Sequence, residues 1–260
     1  IKGTVILLFQ PAEEAEHGGE KVVNTGMFEK YKIEKIFGLH TKQNMPVGTI
    51  AIAPGPFSAA VDRFLYTVKG MGCHGSAPQT GLDPIPAAAR LVGSLQEIVS
   101  RRISPTETAV ISVTRFTSGT SWNIIPETAR LEGTVRTFNT KVREQIVELM
   151  QAQAEGLERE GYQVEFTWIP GCPATNNDAE LAELVRKEAM EEGFHVTLQH
   201  PEMGGEDFSC YQELVPGAFF HVGTGGKYPA HNSKFTVDPA ALLGASKLMS
   251  EIVKKALKAS

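Results

Sequence analysis

The chain has 260 residues, of which 42% are hydrophobic and 21% charged, a composition typical of a globular protein with one large domain or two smaller ones. Its formal net charge of -5 argues against nucleic-acid binding, and no apolar run is long enough to span a membrane. The chain has three cysteines, an odd number that cannot all pair with one another, and they show no CxxC spacing. This pattern predicts reduced thiols and a cytoplasmic location.

The first predicted element is a strand at residues 4–9, a continuous apolar run between Gly3 and Pro11. Such a run is typical of a strand buried on both faces, as in a parallel sheet. Glu13 and Glu14 follow it, where open α/β sheets place their ligand sites. One carboxylate there can bind a metal while its neighbour addresses a water, an arrangement that suits hydrolysis. The alternative is a helix beginning near Pro11, whose dipole the acidic side chains would favour.

Two further predicted strands are associated with histidines. The strand at residues 35–40 ends on His40, and the strand at residues 219–225 is followed by His231 in a loop. Imidazole and carboxylate groups are ligands of divalent cations, and three such groups at or after strand ends favour a metal site over coincidence. The alternative for either histidine alone is a structural or surface role.

Residues 59–172 predict a separate domain with the element order β-α-β-β-α-β. Alternating or amphipathic patterns predict strands at 61–69, 109–117, 128–137 and 162–169, and helices at 83–102 and from Asn139 or Thr140 to about Glu160. This order is that of the ferredoxin-like split unit, a sheet with two helices on one face. Segments rich in proline and glycine at 54–56 and 171–173 predict a hinge on either side.

The flanking segments, residues 1–58 and 173–260, predict a second domain of α/β class, with a mixed sheet flanked by helices. After the second hinge, a helix is predicted at 178–192 with Asn176 or Asn177 as its cap, followed by a strand at 195–199. A turn at 203–208 enters a short helix, and a last helix begins at Asp238, which precedes Pro239 as an N-cap should.

Four strings along the chain are specific in combination: FQPAEE at 9–14, GLH at 38–40, MGGEDF at 203–208 and PAHNSKF at 229–235. They resemble the co-catalytic metallopeptidase family that includes aminoacylases and carboxypeptidase G, in particular its branch of hippurate hydrolases, N-acyl-amino-acid amidohydrolases and auxin-conjugate hydrolases. The similarity runs nearly from end to end. It implies that the α/β domain is catalytic and that the ferredoxin-like domain is a lid used for dimerisation.

The resemblance also implies roles for residues of the α/β domain. Glu13 would be the general base, and Glu14, His40 and His231 would bind one or two divalent metal ions of the class of Zn, Mn, Co or Ni. Glu206 and Asp207 would lie near the metal cleft and support a metal-binding histidine. The alternative for this last pair is that acids opening a helix are favoured by its dipole.

In the lid, the resemblance implies that His74 polarises the scissile carbonyl, often at the metal centre of a dimer partner. It implies that Asn123 and Arg136 bind the substrate's carbonyl and carboxylate, and the planar fork of arginine suits a carboxylate. The alternatives are a loop histidine that closes a turn and an ordinary strand arginine.

One departure from the family concerns the front of the chain. Members carry an earlier segment with a Cys-Gly-His-Asp motif that supplies a bridging thiolate and another histidine, and this string is not present here. The chain also contains no earlier strand to cover the strand at 4–9. We therefore expect a fragment that lacks about the first third of the family's length and is inactive by itself.

The resulting expectation is a metal-dependent amidohydrolase that cleaves N-acyl amino acids to a carboxylic acid and a free amino acid, as a homodimer through the lid. A dipeptidase or carboxypeptidase of the same family is the first alternative. A binding or dimerisation module with a dead site is the second.

Overall fold

The structure is a computed structural model that describes residues 2–14 and 18–258. The chain divides into two compact units. The first unit comprises Ile1–Ala59 and Thr175–Ser260, and the second unit comprises Ala60–Ala174. No helix within the described ranges is long and apolar enough to cross a membrane.

The described residues form the following strands and helices, numbered in chain order. The strands are β1 (Ile36–Lys42), β2 (Thr49–Ile52), β3 (Gly55–Ser58), β4 (Ala60–Lys69), β5 (Cys73–His74), β6 (Ala109–Ser118), β7 (Ile124–Ile125), β8 (Thr128–Thr137), β9 (Gln163–Ile169), β10 (Thr175–Asn177), β11 (His195–Leu198) and β12 (Gly217–Gly223). The α-helices are α1 (Gly18–Val23), α2 (Met27–Tyr31), α3 (Pro84–Glu97), α4 (Thr140–Arg159), α5 (Ala179–Glu191), α6 (Ser209–Gln212) and α7 (Pro239–Lys258). A π-helical turn, Ile98–Arg102, continues α3.

The first unit is built on a mixed four-stranded sheet with the order β1-β12-β2-β11. Strand β12 is buried along its whole length, and its successive side chains point to opposite faces. Phe220 packs in a cluster with residues of α5 and α7, whereas Phe219 packs with Phe57, Phe208 and Tyr211. The sheet therefore has an apolar layer on each face. Strands β1 and β12 are parallel, which places His40 opposite His221.

The second unit is a four-stranded antiparallel sheet with the order β6-β8-β4-β9. Helices α3 and α4 pack against it around a core that includes Phe64, Leu91, Leu131 and Ile146. Each of the four long strands and two long helices predicted for this part of the chain is present, and Asn139 caps α4. The alternating pattern succeeded here because one face of the sheet is buried and the other is not.

The strand predicted at residues 4–9 is wrong. The segment belongs to neither sheet of the first unit, and the side chains of Leu7 and Phe9 are 77% and 87% exposed. An apolar run becomes a buried strand only if another strand pairs with it and side chains cover both faces, and the described residues provide neither. The alternative helix near Pro11 is not observed either, since α1 begins at Gly18.

The predicted cap of α5 is also wrong. The side chain of Asp178 accepts hydrogen bonds from the backbone N–H groups of Glu180 and Leu181, so Asp178 is the N-cap. Asn177 instead lies buried in β10, where its Nδ2 donates to the carbonyls of Ala53 and Phe219 and its Oδ1 accepts from Phe219 N–H. An amide that satisfies the backbone of neighbouring strands is committed to packing and cannot also cap a helix.

Candidate metal centre and active site

The turn that carries Glu13 and Glu14 begins with an unusual backbone conformation. Ala12 has φ 58°, a left-handed conformation that costs energy for any residue other than glycine. The Ala12 carbonyl accepts a hydrogen bond from Gly18 N–H at 3.3 Å, which closes the segment into a loop. Because strained residues cluster at functional sites, Ala12 marks the following carboxylates for attention.

Glu14 lies next to His231 in the first unit. The Glu14 Oε2 atom lies 3.7 Å from His231 Nε2, and both side chains are largely exposed. His231 itself has φ 66°, and its loop is held by hydrogen bonds from Asn232 N–H to the Pro229 carbonyl and from Lys234 N–H to Asn232 Oδ1. The two side chains expected to bind metal from opposite ends of the sequence are therefore neighbours.

His40 lies in β1 with one ring nitrogen already committed. Its Nδ1 is 2.7 Å from the Thr41 carbonyl. A carbonyl oxygen can only accept a hydrogen bond, so Nδ1 carries the proton and the lone pair of Nε2 is left for a ligand. Metal-binding histidines in proteins are typically oriented in this way by a backbone carbonyl.

Three carboxylates gather beside this pair of histidines. One carboxylate oxygen each of Glu13, Glu206 and Asp207 lie within 4.8 Å of one another. Burial, followed by the charges of Asp207 and Glu14, raises the pKa of Glu13, whereas His40 and His231 act in the opposite direction. Burial raises the pKa of Glu206 to about 7, assisted by the charges of Glu13 and Asp207 and opposed by a hydrogen bond from Phe208 N–H. Burial and the neighbouring carboxylates thus disfavour the ionised forms of Glu13 and Glu206.

This donor set fits a divalent cation. Carboxylate oxygens and imidazole nitrogens are the ligands that such ions take from proteins, and Glu14, His40 and His231 supply both types. A positive ion would also offset the burial and the repulsion between carboxylates that raise the pKa values of Glu13 and Glu206. The chemistry of the residues present therefore agrees with a metal centre in the first unit. Among the described residues, however, the group whose ligand atoms all lie within 4.8 Å of one another is Glu13, Glu206 and Asp207 rather than Glu14, His40 and His231.

Analysis of the sequence missed a buried histidine beside this centre. His221 lies opposite His40, with the two ring centroids 6.3 Å apart, and its Nδ1 is 3.0 Å from Gln199 Oε1. Burial, followed by the charge of Lys42, lowers the pKa of His221 to about 4. A neutral imidazole opposite His40 adds no positive charge to the candidate site. The parallel pairing of β1 with β12, which the sequence does not specify, is what brings it there.

The second unit contains the other predicted site residues, His74, Asn123 and Arg136. His74 pairs with Ile124 across β5 and β7, and Gly75 N–H donates to the Asn123 carbonyl at 2.9 Å, so His74 and Asn123 share one loop region. Arg136 lies on the central strand β8 and donates to the Val135 carbonyl and to Thr134 Oγ1.

His74 is held in one orientation by Ser76. The backbone N–H of Ser76 donates to His74 Nδ1 at 3.2 Å, and the Ser76 hydroxyl lies 2.7 Å from the same atom. Since Nδ1 accepts, a neutral ring carries its proton on Nε2. His74 therefore presents an N–H donor on its exposed side.

The raised pKa of Glu206 predicts a stability effect in chelator-treated protein. Between its ordinary pKa of 4.5 and its folded value of about 7, the folded state retains a proton that the unfolded state has released. The stabilisation is complete below pH 4.5 and is lost as pH rises through 7. Glu206→Gln imitates the protonated form, so its advantage over the original protein should grow between pH 5 and pH 8, to at most about 3 kcal/mol.

Urea unfolding at several pH values measures this difference, with the exposed neighbour Glu213→Gln as the matched control. A difference between Glu206→Gln and the original protein that does not change with pH would show that Glu206 ionises normally.

Comparison with known proteins identifies the family of this chain. The model of peptidase family M20/M25/M40 matches residues 1–255. N-acetylcysteine deacetylase from Bacillus subtilis strain 168 is 43% identical over 253 residues, which cover 97% of this chain and 66% of that protein. N-acetyldiaminopimelate deacetylase from Bacillus pumilus is 34% identical over 258 residues, covering 98% of this chain and 68% of that protein.

A crystal structure of a dinuclear metal-binding peptidase of the M20 family from Bacillus subtilis matches this fold with a TM-score of 0.82 and 39% identity. The match covers 96% of this chain and 64% of the other. The chain thus spans about two thirds of the length of these relatives. The resemblance inferred from the four sequence strings is confirmed, and the chain belongs to peptidase family M20/M25/M40.

Proposed function

We propose that this chain belongs to a metal-dependent amidohydrolase that cleaves N-acyl amino acids to a carboxylic acid and a free amino acid. The observation that carries the proposal is the convergence of Glu13, Glu14, His40 and His231 in the first unit, in a member of a peptidase family. The two deacetylase relatives are named for N-acetylated amino acids, which supports this substrate class.

Glu14, His40 and His231 would hold the metal, one or two ions of Zn, Mn, Co or Ni. Bound there, a divalent cation supplies Lewis acidity to a water and to the amide carbonyl. The free Nε2 of His40 and the nearness of Glu14 to His231 support this assignment.

Glu13 would act as the general base and then as the general acid. It would take a proton from the attacking water and later deliver it to the leaving amine. Its raised pKa suits both tasks. A carboxylate of higher pKa is a stronger base, and a carboxyl group whose pKa lies closer to the working pH can hold the proton and then deliver it.

The second unit would be a ferredoxin-like lid, residues 59–172, between the catalytic segments 1–58 and 173–260. The Nε2–H of His74 would donate to the oxygen of the amide carbonyl as negative charge develops there. Asn123 would bind the same carbonyl, and the guanidinium of Arg136 would pair with the amino-acid carboxylate. The odd number of cysteines and the lack of CxxC spacing in the sequence support a cytoplasmic location.

The lid would also be the dimer interface. Strands β6 and β9 are the edges of its sheet, and an edge strand presents backbone groups that a second copy can pair with. Two-fold contacts of this kind are the commonest geometry of soluble oligomers. We propose that His74 acts on the metal centre of the partner subunit.

Substitutions at the paired carboxylates test the catalytic assignment, in a protein that carries the whole length seen in its relatives. Glu13→Gln should retain metal but lose activity by at least about 100-fold, because the general base is removed. Glu14→Gln should lose metal as well. Metal content and hydrolysis of N-acetyl amino acids are the measurements, and the exposed Glu20→Gln is the control. If both variants kept metal and activity, the assignment would be wrong.

A mixing experiment tests whether His74 acts across the dimer. His74→Ala and Glu13→Gln proteins of the same full length should each be nearly inactive. After subunit exchange, one site of a mixed dimer would combine an intact Glu13 with an intact His74 from the other chain, so activity should reappear. Demonstrated exchange without recovered activity would mean that His74 acts within its own chain or has no catalytic role.

A further inference from the structure

Asp207 makes its contacts far from its own position in the sequence. Its side chain is buried, with 5% of the residue exposed. Both carboxylate oxygens accept from Gln10 Nε2 at 2.8 Å, and Oδ2 also accepts from the backbone N–H of Gly19 at 2.7 Å. Gln10 and Gly19 stand at the two ends of the segment that contains Glu13 and Glu14.

The adjacent acid, Glu206, behaves differently. Its Oε1 accepts from Phe208 N–H at 3.2 Å, which is the local contact expected of an acid that opens a helix. Asp207 is therefore not explained by the same helix, because its carboxylate is directed to residues 188 and 197 positions earlier in the chain.

Gln10 is held at its other end by an aromatic cluster. Its Oε1 accepts from the hydroxyl of Tyr211, and Tyr211 is itself only 2% exposed. The Tyr211 ring stacks on Phe28 at a centroid distance of 5.5 Å and meets Phe208 edge to face at 5.9 Å. The amide of Gln10 is thus fixed by two buried partners. The Asp207 carboxylate accepts from its NH2, and the Tyr211 hydroxyl donates to its oxygen.

The segment between these fixed ends contains the strained residue Ala12. A left-handed alanine persists only where its surroundings over-determine the backbone, and the bonds at Gln10 and Gly19 lie on either side of it. The strained conformation sets the direction in which the chain continues into Glu13 and Glu14.

We propose that Asp207, Gln10 and Tyr211 are positioning residues that hold the turn bearing Glu13 and Glu14 in the geometry required for metal binding. That the turn binds metal rests on the proposed function. That these residues restrain the turn rests on the hydrogen bonds alone. The three side chains touch neither substrate nor metal in this account and act through Gln10 and the backbone N–H of Gly19.

Reversing the polarity of the central contact tests the proposal. Asp207→Asn leaves an amide oxygen for Gly19 N–H but sets its NH2 against the NH2 of Gln10, and Gln10→Glu sets two carboxylates against each other. The double variant restores a match at both positions. The new carboxylate at position 10 can accept from the new amide at position 207 and from the Tyr211 hydroxyl, while the oxygen of that amide accepts from Gly19 N–H. The double variant also has the same net charge as the original protein.

The first readout is amide hydrogen exchange in the full 260-residue chain. Each single variant should accelerate exchange at Gly19 by about 10- to 100-fold, because Asp207→Asn removes the charge of the acceptor and its match to Gln10, and Gln10→Glu repels the acceptor carboxylate. Exchange in β12 should not change, and the double variant should recover most of the protection. Faster exchange that spreads equally to β12 would mean that Asp207 only stabilises the fold, and would overturn the proposal.

The second readout is the dissociation constant for Mn²⁺ alone. The single variants should weaken binding by about 10- to 100-fold, and the double variant should restore it. Unchanged Mn²⁺ affinity and unchanged exchange in the singles, or no recovery in the double, would overturn the proposal. If the original chain binds no Mn²⁺, the proposed metal centre fails, while hydrogen exchange still decides whether the contact holds the turn.

Two further variants complete the design. Tyr211→Phe removes one donor without disturbing the aromatic packing, so it should accelerate exchange at Gly19 to a smaller extent even if the Asp207 variants fail to fold. Glu213→Gln removes an exposed carboxylate close to α6 and should change neither readout. An effect of Glu213→Gln equal to that of Asp207→Asn would show that loss of charge alone is responsible.

Discussion

The crowding of carboxylates in the first unit is the constraint on which the site depends. Glu13, Glu206 and Asp207 share a small, partly buried space, with Glu14 beside them. Like charges at short range in a poorly hydrated region oppose ionisation, and two devices reduce this cost. Asp207 accepts hydrogen bonds from Gln10 and Gly19, and Glu13 lies where His40, His231 or a bound metal ion would favour its charged form.

The fold supplies this arrangement by bringing distant loops to one region. His40 comes from β1, His231 from the loop after β12, and the Glu13–Glu14 turn from a segment fixed to the cluster around Tyr211. Strand β12 is central to the assembly because both its faces are covered and because it pairs with β1 in parallel. The segments that carry the proposed ligands are therefore attached to a central sheet, as is usual for binding sites in α/β proteins.

Much of this could be predicted from sequence where the signal was local. The alternating strands and amphipathic helices of the second unit were found at their predicted places, and short strings identified the family and the residues now found close to Glu13. The strand at residues 4–9 failed because apolar character does not guarantee a neighbour to pair with. The predicted cap of α5 failed because the side chain of Asn177 bonds the backbone of Ala53 and Phe219 instead, which no local pattern reveals.

The contacts between residues far apart in sequence were not predictable in the same way. Gln10 and Asp207 each stood within a recognised string, yet spacing alone does not indicate that they touch across 197 positions. The same holds for His221, whose burial beside His40 follows from strand order and register. Such contacts require the fold to be known first.

The central claim is that Glu14, His40 and His231 form one metal centre. Anomalous diffraction from crystals soaked in Zn²⁺ tests it directly. The account predicts a zinc peak at about 2.0–2.2 Å from a Glu14 oxygen and from Nε2 of His40 and of His231. A peak bound by Glu206 and Asp207 without either imidazole, or no zinc in the first unit, would contradict it.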